Sequence, residues 1–244
     1  MKALDVQALS KDFGGLRAIR DISLEIEAGE RRAIIGPNGA GKTTFFHLIS
    51  GFLFPSSGRI HLFGRDVTHL QAHQRAALGM SRTFQVTNLF PKLTLFENIL
   101  LGVQAINGAR FCFYRRVNSF REIIYETERL LKEWSLWGKK DALLKNLSYG
   151  EQRQIEVIMA LATKPRLLLL DEPTAGLSPA ETALVTSIIK SLPREITTIL
   201  IEHDMDVAFE IAERVTVLHF GSVLADGPLE QIKGNSKVAE VYLG

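Results

Sequence analysis

Two short segments carry residue types suited to phosphate chemistry. Gly36-Pro37-Asn38-Gly39-Ala40-Gly41-Lys42-Thr43 matches the phosphate-loop pattern G-x-x-x-x-G-K-[ST], and Thr44 follows it directly. In such a loop the glycines let backbone N–H groups converge on phosphate oxygens, and the helix that follows adds the positive end of its dipole. Lys42 then reaches the β- and γ-phosphates, and the Thr43 hydroxyl ligates Mg²⁺. The second segment, Leu167-Leu168-Leu169-Leu170-Asp171-Glu172, puts two carboxylates at the carboxyl end of an apolar run, where open α/β sheets bind their ligands. Asp171 suits Mg²⁺, directly or through water, and Glu172 suits a base that takes a proton from a water attacking the γ-phosphate. The bland readings are a glycine turn that merely starts a helix and a solvated pair before Pro173. The strand, loop and helix order around the first segment, and the presence of both in one chain, favour the chemistry.

Both segments need a scaffold that presents strand ends and helix starts on one side. Arg32–Ile35 reads as the strand entering the loop and Lys42–Ser50 as the helix leaving it, closed by Gly51. Upstream, Ile22, Leu24 and Ile26 alternate with Ser23, Glu25 and Glu27, the period of a half-buried strand in an antiparallel region. Residues 59–63 and 81–84 read as short strands. Thr94 and Glu97 form a capping box opening a helix to about Gln104, and 117–146 reads as mostly helical, with Trp134 and Trp137 three apart. Ser148 and Glu151 form a second capping box, and Ile155, Ile158, Met159 and Ala162 share one face of the helix it starts, which Pro165 stops. The run 167–170 reads as a buried parallel strand. Ser178, Pro179 and Glu181 supply N-cap, N1 and N3 of another helix before the strand Thr197–Ile201. The alternation predicts an α/β fold: a phosphate-loop core with a mainly parallel sheet, an N-terminal antiparallel β subdomain and an inserted helical subdomain. The expected organisation is one domain over 1–244, with 1–87 and 151–244 as the α/β core and 88–150 as the helical subdomain.

Composition narrows the setting. The chain has 244 residues, 46% hydrophobic and 23% charged, as a globular protein does. Twenty-nine Lys and Arg against 27 Asp and Glu leave a formal charge of +2 without a long basic tract, which argues against nucleic acid as a partner. The single cysteine, Cys112, cannot form an internal disulfide, which fits a reduced cytosol. The first residues lack the pattern of a secretion signal, and no apolar stretch approaches the 18 residues that span a bilayer.

The ordered set of motifs resembles the nucleotide-binding subunits of ABC transporters: the phosphate loop, Gln85 after a strand, Leu147-Ser148-Tyr149-Gly150-Glu151-Gln152, the 167–172 segment, Ala175-Gly176-Leu177-Ser178, and His203 after the last core strand. The resemblance covers essentially the whole chain, and its most specific element is the 147–152 signature directly before a helix. It implies ATP and Mg²⁺ as ligands. Phe13 is then the aromatic that stacks on adenine, with a plain core residue as the lesser reading. Gln85 touches Mg²⁺ and the attacking water and reports the nucleotide state, and His203 contacts the γ-phosphate. Ser148 and Gly150 contact the γ-phosphate of ATP held by a second subunit, so the resemblance implies a head-to-tail pair sandwiching two ATP molecules. Tyr149 and Glu151 depart from the commonest signature, Leu-Ser-Gly-Gly-Gln, and Ser178 stands where many members have Asp.

Further details resemble the ATPase subunits of branched-chain amino-acid importers: Gly79-Met80-Ser81-Arg82-Thr83-Phe84-Gln85, Asn88-Leu89-Phe90, Thr94-Leu95-Phe96-Glu97-Asn98 and the terminal Val241-Tyr242-Leu243-Gly244. That resemblance implies integral membrane permease subunits as partners, a solute-binding protein acting indirectly, a second cassette that is identical or a paralogue, and a peripheral place on the cytoplasmic face of the inner membrane. Phe84, Leu89, Phe90 and Phe96 either offer a groove to a short helix of a membrane subunit or belong to the core of the helical subdomain. Lipopolysaccharide-transport ATPases share much of the pattern. A soluble single-cassette ATPase of iron–sulfur assembly type also fits the length, whereas a phosphate-loop kinase lacks the signature segment.

Overall fold

The computed structural model describes residues 1–83, 89–105 and 120–243. Gln85 and Phe84, and with them Cys112, lie outside the described residues. Five strands lead to the phosphate loop or flank it: β1 Lys2–Phe13, β2 Leu16–Glu27, β3 Arg31–Ile35, β4 Ser57–Leu62 and β5 Arg65–Asp66. Five more follow: β6 Met80–Arg82, β7 Leu167–Asp171, β8 Thr197–Ile201, β9 Arg214–His219 and β10 Ser222–Pro228. The helices are α1 Lys42–Ser50, α2 Ala72–Ala77, α3 Leu95–Ala105, α4 Arg121–Glu133 and α5 Tyr149–Ala162. α6 Pro179–Ser191, α7 Met205–Ile211, α8 Leu229–Lys233 and α9 Ser236–Leu243 complete the described set.

The strands form two sheets. An antiparallel sheet has the order β2-β1-β4-β5, and a six-stranded sheet has the order β10-β9-β3-β8-β7-β6. In the larger sheet every neighbouring pair from β9 to β6 is parallel and only β10 runs against β9. The central strands β3, β7 and β8 are buried at every residue, as strands covered on both faces must be. This is the α/β architecture expected from the alternation of motifs, with the antiparallel sheet at the N-terminus. β2 has the expected alternation: Ile22, Leu24 and Ile26 are buried, and Ser23, Glu25 and Glu27 face out.

Three apolar clusters hold the elements. One joins both sheets through α1, with Phe45 and Phe46 fully buried. A second packs α6 and α7 on the other face of the parallel sheet. The third is helical: Leu95, Ile99 and Val103 of α3 meet Ile123, Leu130 and Leu131 of α4 and Ile155, Ile158 and Ala162 of α5. α5 thus presents its predicted face to α3 and α4 while Val157 and Ala160 join the sheet-side cluster.

Over the described part of 117–146, which is expected to be mostly helical, the helix is broken into shorter pieces. Among its described residues α4 stops at Glu133, and only the single turns Trp137–Lys139 and Leu144–Asn146 follow, both 3₁₀. The stop is a Schellman motif built on Ser135, whose φ is 57°. Leu136 N donates to Leu131 O at 2.8 Å and Ser135 N to Lys132 O at 3.1 Å. A serine takes the left-handed position that glycine usually fills, so the sequence carries no visible stop there. Among the described residues no helix is long and apolar enough to cross a membrane.

Candidate functional site

The carboxyl ends of β3, β7 and β8 meet the start of α1, and each delivers its expected group. The phosphate loop leaves β3 with Gly36 and Gly41 in backbone conformations that exclude side chains. A Cβ on Gly36, at φ 152°, would lie 2.2 Å from Leu218 O, and one on Gly41, at φ 102°, would lie 2.9 Å from Ala18 O. Ala40 N closes back onto Pro37 O at 3.1 Å, and Phe45 N bonds Gly41 O at 2.8 Å, which starts the helix. The side chain of Lys42 is buried and folds into the loop, donating to Gly36 O at 2.6 Å and Pro37 O at 3.1 Å. Burial lowers its pKa, and the negative charge of Glu172 acts the other way. An ammonium held this way by two carbonyls sits inside the loop, where bonds to an anion would be stronger, charge-assisted ones.

Glu172 follows the last residue of β7. Its φ of 48° is unusual for a residue with a side chain, and its amide bonds Ile201 O at 3.0 Å. That conformation costs about 1–3 kcal/mol, and such strain concentrates where it serves a function. The side chain is turned to His203, whose Nε2 lies 2.8 Å from Glu172 Oε1. Beneath this pair is a residue that sequence reasoning missed. Glu202, buried beside His203 in the chain, accepts from Thr174 N at 3.1 Å and Thr174 Oγ1 at 2.8 Å, which ties the end of β8 to the turn after Glu172. Burial raises the pKa of Glu202 against the effect of those bonds.

A cavity of about 550 Å³ opens over these groups. Asn38, Gly39, Ala40, Gly41, Lys42, Thr43 and Thr44 line it together with Glu172 and His203. Its far rim comes from Leu16, Arg17, Ala18 and Arg20 of β2 and from Phe220. Gly36 and Pro37 sit behind the lining as the acceptors of Lys42. Phe13 is not among the lining residues. It closes β1, is half exposed, and carries Lys11 Nζ 5.1 Å from its ring centroid.

Asp171 is buried and ion-paired. Arg82 Nη2 donates to Asp171 Oδ2 at 2.6 Å, and Asp171 N donates to Thr83 Oγ1 at 3.3 Å. Arg82, at the end of β6, is a partner that residue spacing could not reveal, since 89 residues separate the two. Oδ1 of Asp171 is buried without a hydrogen-bond partner. A buried carboxylate oxygen with spare lone pairs suits a hard cation such as Mg²⁺.

Ser148 and Gly150 are not at this cavity. They form the N-terminus of α5, where Ser148 Oγ accepts from Glu151 N and Glu151 Oε2 accepts from Ser148 N, the predicted capping box. The same N-terminus holds a second carboxylate, that of Glu181, which the sequence shows only as a cap of α6. Ser148 Oγ and Gly150 N both donate to Glu181 Oε1 at 3.1 Å, while Oε2 accepts from Ser178 N and Ser178 Oγ. One carboxylate therefore bridges two helix N-termini, and those bonds, led by that from Ser178, lower its pKa. The signature end of α5 is thus an anion seat in this chain.

Known proteins match this architecture. A family model described as ABC transporter matches residues 19–175, more than half of the chain. The chain belongs to the ABC transporter family. The branched-chain amino acid transport ATP-binding protein BraF of Pseudomonas aeruginosa is 38% identical over 250 residues, covering 99% of this chain and 97% of that protein. LivG of Escherichia coli, named in the same way, is 38% identical over 251 residues with the same two coverages. A solved ATP-binding cassette of an ABC transporter superposes with a TM-score of 0.88 at 29% identity over the full length of both chains, and a nucleotide-free cassette with 0.86 at 27%. This ABC protein is accordingly an ATPase, with ATP and Mg²⁺ as the ligands of its site.

Proposed function

We propose that this chain is the ATP-hydrolysing subunit of an importer for branched-chain amino acids or related small solutes. Its relatives at 38% identity over nearly full length carry that transport function in their names, which favours it over the lipopolysaccharide-transport and iron–sulfur alternatives. The observation that carries the mechanism is the separation of the two anion-handling ends. The phosphate loop, Glu172 and His203 line one cavity, whereas Ser148 and Gly150 sit at the start of α5, outside that lining. A site divided in this way is completed by a second cassette, identical or paralogous, that brings its own α5 N-terminus over the bound triphosphate.

In this reading the backbone of 36–44 cradles the phosphates, with Lys42 leaving its carbonyls for the β- and γ-oxygens. Phe13 serves the adenine end of the site. Thr43, Asp171 and Gln85 would hold Mg²⁺, which would supply charge neutralisation at the phosphate oxygens. Glu172, fixed by its strained backbone and by His203, accepts the proton of the attacking water. His203 contacts the γ-phosphate from the same side, and residues 88–150 form a helical subdomain that carries the signature toward the partner.

The chain then works at the cytoplasmic face of the membrane through permease subunits. An apolar groove of about 330 Å³ between β6, α3 and α5, lined by Thr83, Leu89, Phe90, Leu101, Gly102 and Met159, supports a short permease helix as its occupant. Thr83 and Leu89 are the described residues that flank the segment of Gln85, so the groove adjoins that nucleotide-sensing stretch in the chain. Glu156 lines the same groove with one carboxylate oxygen buried and without a hydrogen-bond partner, which favours a helix that presents a donor there.

The test is co-expression with branched-chain amino-acid permease subunits from the same genome, then reconstitution in proteoliposomes with the matching solute-binding protein. Leucine-loaded binding protein is expected to stimulate ATP hydrolysis and uptake. A cassette that is never retained by those permeases, or hydrolysis indifferent to every branched-chain amino acid, overturns the reading.

A further inference from the structure

The carboxylate of Glu181 does more than its own helix requires. At N3 of α6 it closes the capping box with one oxygen, Oε2, which accepts from Ser178 N at 3.1 Å and from Ser178 Oγ at 2.8 Å. The other oxygen, Oε1, crosses to α5 and accepts from Ser148 Oγ and Gly150 N, both at 3.1 Å. α5 does not need it as a cap. Glu151 already closes the box on Ser148 and is paired with Lys139. Glu181 is therefore a second carboxylate on a helix start that is capped without it.

The two donors it takes are the two that the divided site reserves for the γ-phosphate of ATP on a partner cassette. A backbone amide and a serine hydroxyl each carry one hydrogen, so neither can serve a carboxylate and a phosphate at once. The overlap is also spatial. A Cβ built on Gly150 would lie 2.5 Å from Glu181 Oε1, which puts that oxygen in the space directly over the glycine. Ser148 and Tyr149 beside it are exposed, so the contact faces outward, where a partner would approach. The carboxylate is also tied to the hydrolytic end of the chain. From Glu172 the backbone turns through Ala175 N to Glu172 O and Leu177 N to Thr174 O, both at 3.2 Å, and then enters α6 at Ser178.

We infer that Glu181 is an autoinhibitory contact, an internal carboxylate that fills the phosphate seat of α5 until the γ-phosphate on a partner cassette displaces it. The inference rests on the divided-site reading above. It gives the nucleotide-free chain a satisfied α5 start and makes closure of the pair depend on an anion strong enough to replace a tethered one. A diphosphate lacks the displacing group and leaves the contact in place. Substitution at Gly150 is a different perturbation, since its Cβ fills the seat and excludes carboxylate and phosphate alike.

The experiment measures ATP-driven association of the cassette pair by analytical ultracentrifugation, in full-length chains that carry Glu172→Gln so that the nucleotide persists. Glu181→Gln keeps the capping box of α6 but holds the seat with a neutral oxygen. It is expected to shift association to lower ATP concentration by about two- to fivefold for each altered seat. The ATP affinity of the single chain, read by calorimetry, stays unchanged, because Glu181 is not among the residues lining the nucleotide cavity. The nucleotide-free chain melts slightly lower, since the bridge between α5 and α6 is weakened. A bridge that only supports the fold would lower association and melting together, whereas competition moves them in opposite directions. Glu181→Ala removes the acceptor altogether and is expected to associate at least as readily as Glu181→Gln while melting lower still. No gain in association in both variants overturns the inference. So does a gain matched by an equal change in single-chain ATP affinity. A Glu172→Gln chain that binds ATP without associating refutes the divided site instead, and one that binds no ATP refutes the ATPase reading.

Discussion

Replacing Glu172 by Gln tests the assignment of the general base with the least disturbance to the fold. The amide has the shape of the carboxylate, leaves the left-handed backbone at φ 48° unchanged, and keeps an oxygen that can accept from His203 Nε2 across 2.8 Å. What it loses is the ability to take a proton. A positioned general base contributes about 10²–10⁴-fold, which at 1.36 kcal/mol per decade is about 2.7–5.4 kcal/mol of barrier. Binding should move the other way. The Glu172 carboxylate is the charge that supports the Lys42 ammonium against the effect of burial, which shows that its field reaches the phosphate loop. Removing one negative charge beside an incoming triphosphate lowers the repulsion by about 1 kcal/mol at contact distance in water, or up to about fivefold in Kd. Phosphate release measured with the assembled dimer, together with equilibrium binding of a fluorescent ATP analogue, separates the two effects. The expected variant binds ATP at least as tightly as the wild type and turns over at least about 100 times more slowly. Turnover near the wild-type rate refutes the base assignment. Loss of binding in step with turnover refutes the view that Glu172 acts on the water alone.

Three further perturbations follow from the packing. Arg75 is fully buried and donates to the carbonyls of Leu48, Ile49, Thr68 and Leu70 at 2.7–3.2 Å, and burial lowers its pKa to about 10. Arg75→Met leaves those acceptors without donors and should cost about 3–5 kcal/mol, a melting temperature lower by roughly 10 °C in calorimetry. The raised pKa of Glu202 means that the folded chain keeps this proton at pH values where the unfolded chain has released it, so stability falls as pH rises above the ordinary value of 4.5. Glu202→Gln removes that contribution, and the stability of the variant relative to the wild type should grow from pH 4 to 8 in urea titrations. In Gly150→Ala the new Cβ would lie 2.5–2.6 Å from the Glu181 carboxylate. Glu181 must leave the start of α5, so the variant should lose about 1–2 kcal/mol of stability, and ATPase activity of the dimer should drop, read by melting and by phosphate release.

Much of the site was legible because its signals are local. The phosphate loop and the capping boxes at Ser148 and Ser178 each lie within a few residues, and the chemistry of such segments is set by neighbours in the chain. β1 was not legible, because its pairing with β2 shifts register four times between Lys2 and Asp12 and so breaks the period of two. The end of α4 was hidden by a serine in the place of glycine. The roles of Arg82 and Glu181 and the place of Phe220 were equally hidden, since each depends on a partner or cavity assembled from distant segments.

The sequence by itself singled out the groups proposed for the chemistry: a lysine and hydroxyl on a glycine loop, two carboxylates after an apolar strand, and a hydroxyl and glycine at a capped helix start. Those features are short-range, and backbone sterics and hydrogen bonding decide them within one turn or strand end. Only the tertiary structure decided that Asp171 is held by Arg82, that the Glu181 carboxylate sits on the signature helix, and that the rim of the cavity is closed by Phe220. Each of these joins segments 33 to about 200 residues apart, brought together by sheet pairing and core burial, so no local pattern encodes them.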